Sequence, residues 1–509
     1  MSSQISDGGK KILDVQARNE AIELMKLKSY LRLDEHRPRW AKVADALINH
    51  NISKSQNIWD DNSTMNTFLQ TWAPAIRKGS KLPGCIKEMI KTAKKYHVDL
   101  NPPLPCTTLH RNMPIWFHKG QDQEKHPQNN GKWAKCQRNN HEILTVHELD
   151  TYVNETQDLR HFPRSNCSCL PCKAAQNKGC EHPIKCRKAA QKLLDALHPK
   201  WKPTGAEAVD GLGLNDDELR QNAQARISGN PQIFNQNIMS SPSLTDEFRV
   251  FTKPAQTQAT VATRTIHDQQ QNINEEEITV SICGVHVNAG YEEAASAYTI
   301  WYGDNDPRNA THRTKGALQT KETSEYQALL QTLLQTPNQA KLHINVTLPY
   351  IRDMLTSNLS KNEDKGWIGV PNGEILQTIV ATLRARTGRT LISKILDQEI
   401  RSKTKDLAKT GLTLDIPDME LNLEPPASFL VTGIRLSQAT QSILYKGILK
   451  QKIPPARAAS TLNLGITRAC VEELTTKSPT DQKIWTSLRS KDFPPPNPSL
   501  LLENYAQRI

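Results

Sequence analysis

A strand-like apolar run, Ile278 to Val285, opens the one stretch of this chain whose pattern dictates an architecture. A second run follows at Ala297–Tyr302, and a third, Lys341–Val346, comes after a helix-period segment. The whole string reads strand 278–287, strand 296–302, strand 311–318, helix 322–335, strand 341–346, helix 348–358, helix 372–386, strand 389–396 and helix 400–409. Three strands followed by helix–strand alternation predict an α/β unit, a sheet with helices against it. Leu329, Leu330, Leu333 and Leu334 supply the buried face of the first long helix, and Leu376, Ile379, Val380 and Leu383 that of the third.

Outside this stretch apolar groups thin out. Only 37% of the 509 residues are hydrophobic and 5% aromatic, so exposed segments are expected between two or three cores. The net charge of +12 suits a polyanion, most simply nucleic acid, because each phosphate neutralised releases counterions. A merely basic protein would carry the same excess. The N-terminus has no apolar leader and no run of about 18 apolar residues occurs, which predicts an intracellular location, nuclear or cytoplasmic.

Residues 1–100 read as a helical basic region. Ile22, Leu27 and Leu31 form a stripe that Pro38 interrupts, and Trp40, Val43 and Leu47 resume it. In the helix expected over 82–96, Lys87, Lys91, Lys94 and Lys95 share the polar side, where they would meet phosphates or simply water.

Residues 101–203 form a cysteine-rich module. Five of the ten cysteines lie within 167–186, and in a reducing compartment such clustering favours metal over disulfides. The spacing Cys169-x2-Cys172-x7-Cys180-x5-Cys186 can close a tetrahedral, structural zinc site, with Cys167, His161 and His182 as alternate ligands. Arg164, Lys173, Lys185, Arg187 and Lys188 surround it, a candidate phosphate-contacting surface. Residues 204–277 read as a flexible linker rich in Gln, Asn, Ser and Thr, with Phe248–Thr252 as one ordered anchor. Residues 412–509 read as a helical tail with a disordered end at Pro494–Pro498.

Several finer features fall within residues 278–411. Gly366, Trp367 and Asn372 precede a helix, Asp306–Asn309 join two strands, and Arg384 and Arg386 close a helix. With these the stretch resembles a type 1 ribonuclease H domain. Glu20–Met25, Arg37–Trp40, Met113–Trp116 and Arg138–His141 are similar, in order, to the post-polymerase part of basidiomycete-type retroelement reverse-transcriptase polyproteins, which carry a comparable cysteine knot. The resemblance implies a ribonuclease H-like mixed five-stranded sheet with flanking helices. It also implies a pair of Mg²⁺ ions held by four carboxylates.

By the family's pattern those positions fall on Cys283, Glu325, Thr347 and Lys405, so Glu325 alone is acidic. The expectation is a catalytically inactive protein that binds RNA–DNA hybrid or single-stranded nucleic acid. The alternatives are a live Mg²⁺-dependent hybrid ribonuclease using Asp397, Glu399 or Asp406, and a relic without a role.

Overall fold

In the computed structural model, residues 278–411 fold around a mixed sheet, as the α/β pattern requires. The structure describes residues 12–490 apart from 54–62, 101, 103, 123–128, 155–160, 163, 165, 204–211, 239, 253–275, 317, 416–423, 453–457 and 476. Nine strands occur among them: β1 Asp99–Leu100, β2 Gln232–Ile233, β3 Phe248–Val250, β4 Glu277–Val287, β5 Ala295–Trp301, β6 Ala310–Arg313, β7 Lys341–Val346, β8 Thr390–Lys394 and β9 Ile434–Arg435.

The large sheet runs β2-β8-β7-β4-β5-β6. β4, β5 and β6 form an antiparallel meander in which Cys283 faces Thr299. β7 and β8 lie parallel to β4, with Val280 opposite Ile344 and Ile344 opposite Ile392. β4 is central and covered on both faces, which is why its sequence is a continuous apolar run rather than an alternation.

The helix Lys321–Gln335 begins at Thr320, whose hydroxyl accepts from the Thr323 N–H at 3.1 Å. It packs on β4 through Ala328, Leu329, Leu330 and Leu333. Leu334 lies off that stripe and is 50% exposed, contrary to expectation. Gly284 lets the helix approach β4. A Cβ there would stand 2.2 Å from Ser324 Oγ and 2.6 Å from the Lys321 carbonyl oxygen. Gly366, Trp367 and Asn372 adopt left-handed φ angles of 56°, 56° and 58° and turn the chain into the helix Gly373–Ala385. Asn372 Oδ1 then accepts from Thr323 Oγ1 at 3.1 Å, tying the two helix starts together.

Two expectations change. The sheet has six strands rather than five, because β2 pairs antiparallel with the outer edge of β8. β2 comes from the stretch expected to be a flexible linker. Its described residues also carry the helix Asp216–Ser228, with a capping box between Asn215 and Glu218 and a left-handed Gly229 at its end. That helix buries only Ala225, so it shows no apolar stripe from which to recognise it. Residues 253–275 lie outside the described set.

The C-terminal segment is likewise built into the N-terminal body. β3, the expected anchor, is the middle of a second sheet, β1-β3-β9, drawing one strand from each side of the large sheet's sequence. The helix Val15–Tyr30 packs against Gln441–Gln451, with the Asp14 N–H donating to Tyr445 Oη at 2.9 Å. Leu24, Trp72, Trp116, Leu193, Phe248, Ile434 and Ile448 belong to one continuous core. No helix among the described residues is long and apolar enough to cross a membrane. The proline-rich end at 494–498 is outside them.

Candidate functional site

Glu325 sits in the first turns of the Lys321–Gln335 helix, fully buried against the end of β7. Its Oε1 accepts from the backbone N–H groups of Thr347 at 2.6 Å and Leu348 at 3.0 Å. Its Oε2 accepts from the Thr347 hydroxyl at 2.6 Å. Burial outweighs these bonds and pushes the carboxyl up to about 7. Cys283 is buried beside it, and burial, then the Glu325 charge, push its thiol up to about 11. On the last helix, Gln398–Thr410, the inward residue is the buried Thr404, whose hydroxyl donates to the Ile400 carbonyl at 2.8 Å. Lys405, expected at the fourth position, is exposed. Helical register turns it away from Glu325.

The site therefore brings Cys283, Glu325, Thr347 and Thr404 together. Asp397, Glu399 and Asp406, the displaced acids of the alternative reading, are all exposed. Asp397 caps its helix by accepting from the Glu399 N–H at 2.8 Å, and Asp406 pairs with Lys409 at 2.8 Å. These residues do not fit two Mg²⁺ ions. At an effective dielectric of about 20, two dications about 4 Å apart repel by about 17 kcal/mol. A single carboxylate committed to Thr347 and Leu348 cannot offset that.

The cysteine-rich module divides its ligands differently from the sequence expectation. Cys169 and Cys172 are not joined to Cys180 and Cys186. His161, Cys167, Cys169 and Cys172 form one group, and Cys136, His141, Cys180 and Cys186 another. The ligand atoms within each lie within 4.8 Å of one another, and each group could hold a metal ion. In the first, His161 Nδ1 stands 3.4 Å from Cys169 Sγ, 3.6 Å from Cys167 Sγ and 3.7 Å from Cys172 Sγ. The alternates His161 and Cys167 are thus members, whereas His182 belongs to neither group. In the second, Asn140 Nδ2 approaches Cys136 Sγ at 3.4 Å and donates to the Gly179 carbonyl at 2.9 Å. Tyr152 Oη lies 3.4 Å from His141 Nε2.

Cys136 and His141 escape a reading confined to the dense run. Their Cys-x4-His spacing is the available signal, a half-site needing a remote partner pair.

Of the basic residues singled out, Arg164, Lys173, Lys185 and Lys188 are exposed. Arg187 is engaged internally. Its guanidinium lies 5.1 Å from the Tyr152 ring centroid and Nε donates to the Tyr152 carbonyl at 3.2 Å. On the helix Gly84–Lys95, Lys91 pairs with Glu88 at 2.7 Å and Lys95 with Glu20 at 2.5 Å, as on a solvated face.

Neither a protein-family model nor a curated protein matches this sequence. Among solved structures, LC9-RNase H1, described as a type 1 RNase H with the type 2 active-site motif, matches at a TM-score of 0.21 and 12% identity, over 27% of this chain and 72% of that chain.

Proposed function

We propose that this chain is a retroelement-derived, ribonuclease H-like protein that binds nucleic acid and does not cleave it, with zinc as its structural metal. The observation that carries the loss of cleavage is the Glu325 site. Where two Mg²⁺ ions would need converging carboxylates, Cys283, Thr347 and Thr404 surround one buried acid that is already hydrogen-bonded by its neighbours. The strand order β6-β5-β4-β7-β8, an antiparallel meander continued by two parallel strands, supports the scaffold half of the reading. The ordered motif runs from Glu20 to His141 support the ancestry. Binding is supported by the charge of +12 and by the exposed Arg164, Lys173, Lys185 and Lys188.

The test uses the full chain with an RNA–DNA hybrid and single-stranded DNA and RNA. Binding that weakens steeply as salt rises, with no Mg²⁺-dependent cleavage, is the expected result. Cleavage that disappears in Glu325→Gln would overturn the inactive reading, and no binding at low salt would overturn the binding half.

A further inference from the structure

The two sulfur-rich groups share a geometry that goes beyond the single centre read from the dense cysteine run. We propose that the chain binds two zinc ions in nested sites, an inner one made by His161, Cys167, Cys169 and Cys172 and an outer one made by Cys136, His141, Cys180 and Cys186. This rests on zinc being the metal, which the donor chemistry favours. Three thiols and an imidazole at tetrahedral corners suit zinc and give hard cations nothing to hold.

The inner distances carry the argument furthest. Zinc–sulfur bonds of about 2.3 Å and zinc–nitrogen bonds of about 2.0 Å at tetrahedral angles place the imidazole nitrogen about 3.5 Å from each sulfur. His161 Nδ1 lies at 3.4, 3.6 and 3.7 Å from its three sulfurs. Direct hydrogen bonding does not require that arrangement, since one N–H cannot aim at three acceptors at once. All three of these cysteines are buried and free.

The outer site has an equivalent donor set and an ordered surround. Cys180 and Cys186 are buried, and Cys136 is half-buried on the helix Lys132–Asn139. Tyr152 Oη beside His141 Nε2 and Asn140 Nδ2 beside Cys136 Sγ are placed to orient two of the four ligands. Gln137 Nε2 donates to the Cys186 carbonyl at 2.9 Å and ties the helix Lys132–Asn139 to the Cys186 backbone.

The helix Leu170–Asn177 joins the sites. Its N-cap is Cys169, its first turn carries Cys172, and Gly179 then turns the chain at φ 91° to deliver Cys180. Every inner ligand lies in sequence between His141 and Cys180, so the inner site is enclosed within the loop that the outer site closes. Both sets supply four protein ligands and leave no open position, which assigns them to folding rather than to catalysis.

Zinc content of the purified full chain, with Co²⁺ titration of the metal-stripped protein, tests the assignment. Two zinc ions per chain are expected, with a Co²⁺ endpoint at two equivalents and sulfur-to-cobalt charge-transfer bands. Cys169→Ser and Cys136→Ser should each retain one. An endpoint at one equivalent, or a single zinc undisturbed by Cys136→Ser, would overturn the proposal. The Co²⁺ endpoint needs no variant to fold. Nucleic-acid binding measured on the same wild-type sample keeps the functional reading separate: two ions without binding sinks that reading alone, and binding with one ion sinks only this one.

Discussion

At the scale of single residues, Glu325 shows how its neighbours decide what a carboxylate does. Thr347 donates two hydrogen bonds to it and closes the site. The carboxyl is raised from 4.5 to about 7, so the folded state holds its proton more tightly than the unfolded state. The stability it contributes is complete at low pH and is lost as pH rises through about 7. Relative to Glu325→Gln, the wild type should therefore weaken by up to about 3 kcal/mol between about pH 5 and about pH 8. Urea midpoints of the two proteins across that range check this, and parallel curves would contradict it. The positions of Cys283, Glu325 and Thr347 were legible because strand pattern and helix start fix them. Thr404 was not, since a one-residue error in helical register exchanges a buried side chain for an exposed one. Cys136 and His141 were hidden for a different reason: their partnership with Cys180 and Cys186 is a proximity in space that local spacing does not encode.

At the scale of elements, periodicity is legible where a helix of the large-sheet region buries an apolar stripe and fails where a helix buries almost none. The helix Gly373–Ala385 buries Leu376, Ile379, Val380 and Leu383 as its stripe requires. The helix Asp216–Ser228 is held by its caps and by the contact of Glu218 with Arg389, so composition alone resembled a linker. Close approach between elements makes specific demands. Gly284→Ala would force the Lys321–Gln335 helix off β4 and should cost about 1–3 kcal/mol, read as a lower denaturation midpoint with an unchanged slope. A buried ion pair makes another. Arg384 meets Glu363 at 2.6 and 2.8 Å with both side chains nearly enclosed. Removing one partner, as in Glu363→Gln, should cost about 3–5 kcal/mol because the other charge stays buried. Replacing both with apolar residues should cost much less, and equal losses would show that the charges are not coupled.

For the whole molecule, the sheet and the helical body are joined through the stretch between them in sequence. β2 covers the edge of β8, and β3 is held between β1 and β9. A chain shortened to begin at Glu276 would expose the β8 edge to other strands. It should melt at a lower temperature and aggregate more readily than one beginning at Leu212. Light scattering during thermal unfolding measures both, and identical behaviour would make β2 dispensable.

The place of β9 also bears on how the protein emerges during synthesis. The N-terminal body, when its own residues have been made, lacks one strand of its small sheet and the helix Gln441–Gln451 that covers Val15–Tyr30. Both arrive only after the entire large sheet has been made. Domains generally fold as units while the chain grows. Here the large sheet is complete before the earlier-made body can close, so that body must wait, part of its apolar surface exposed, for a segment translated hundreds of codons later.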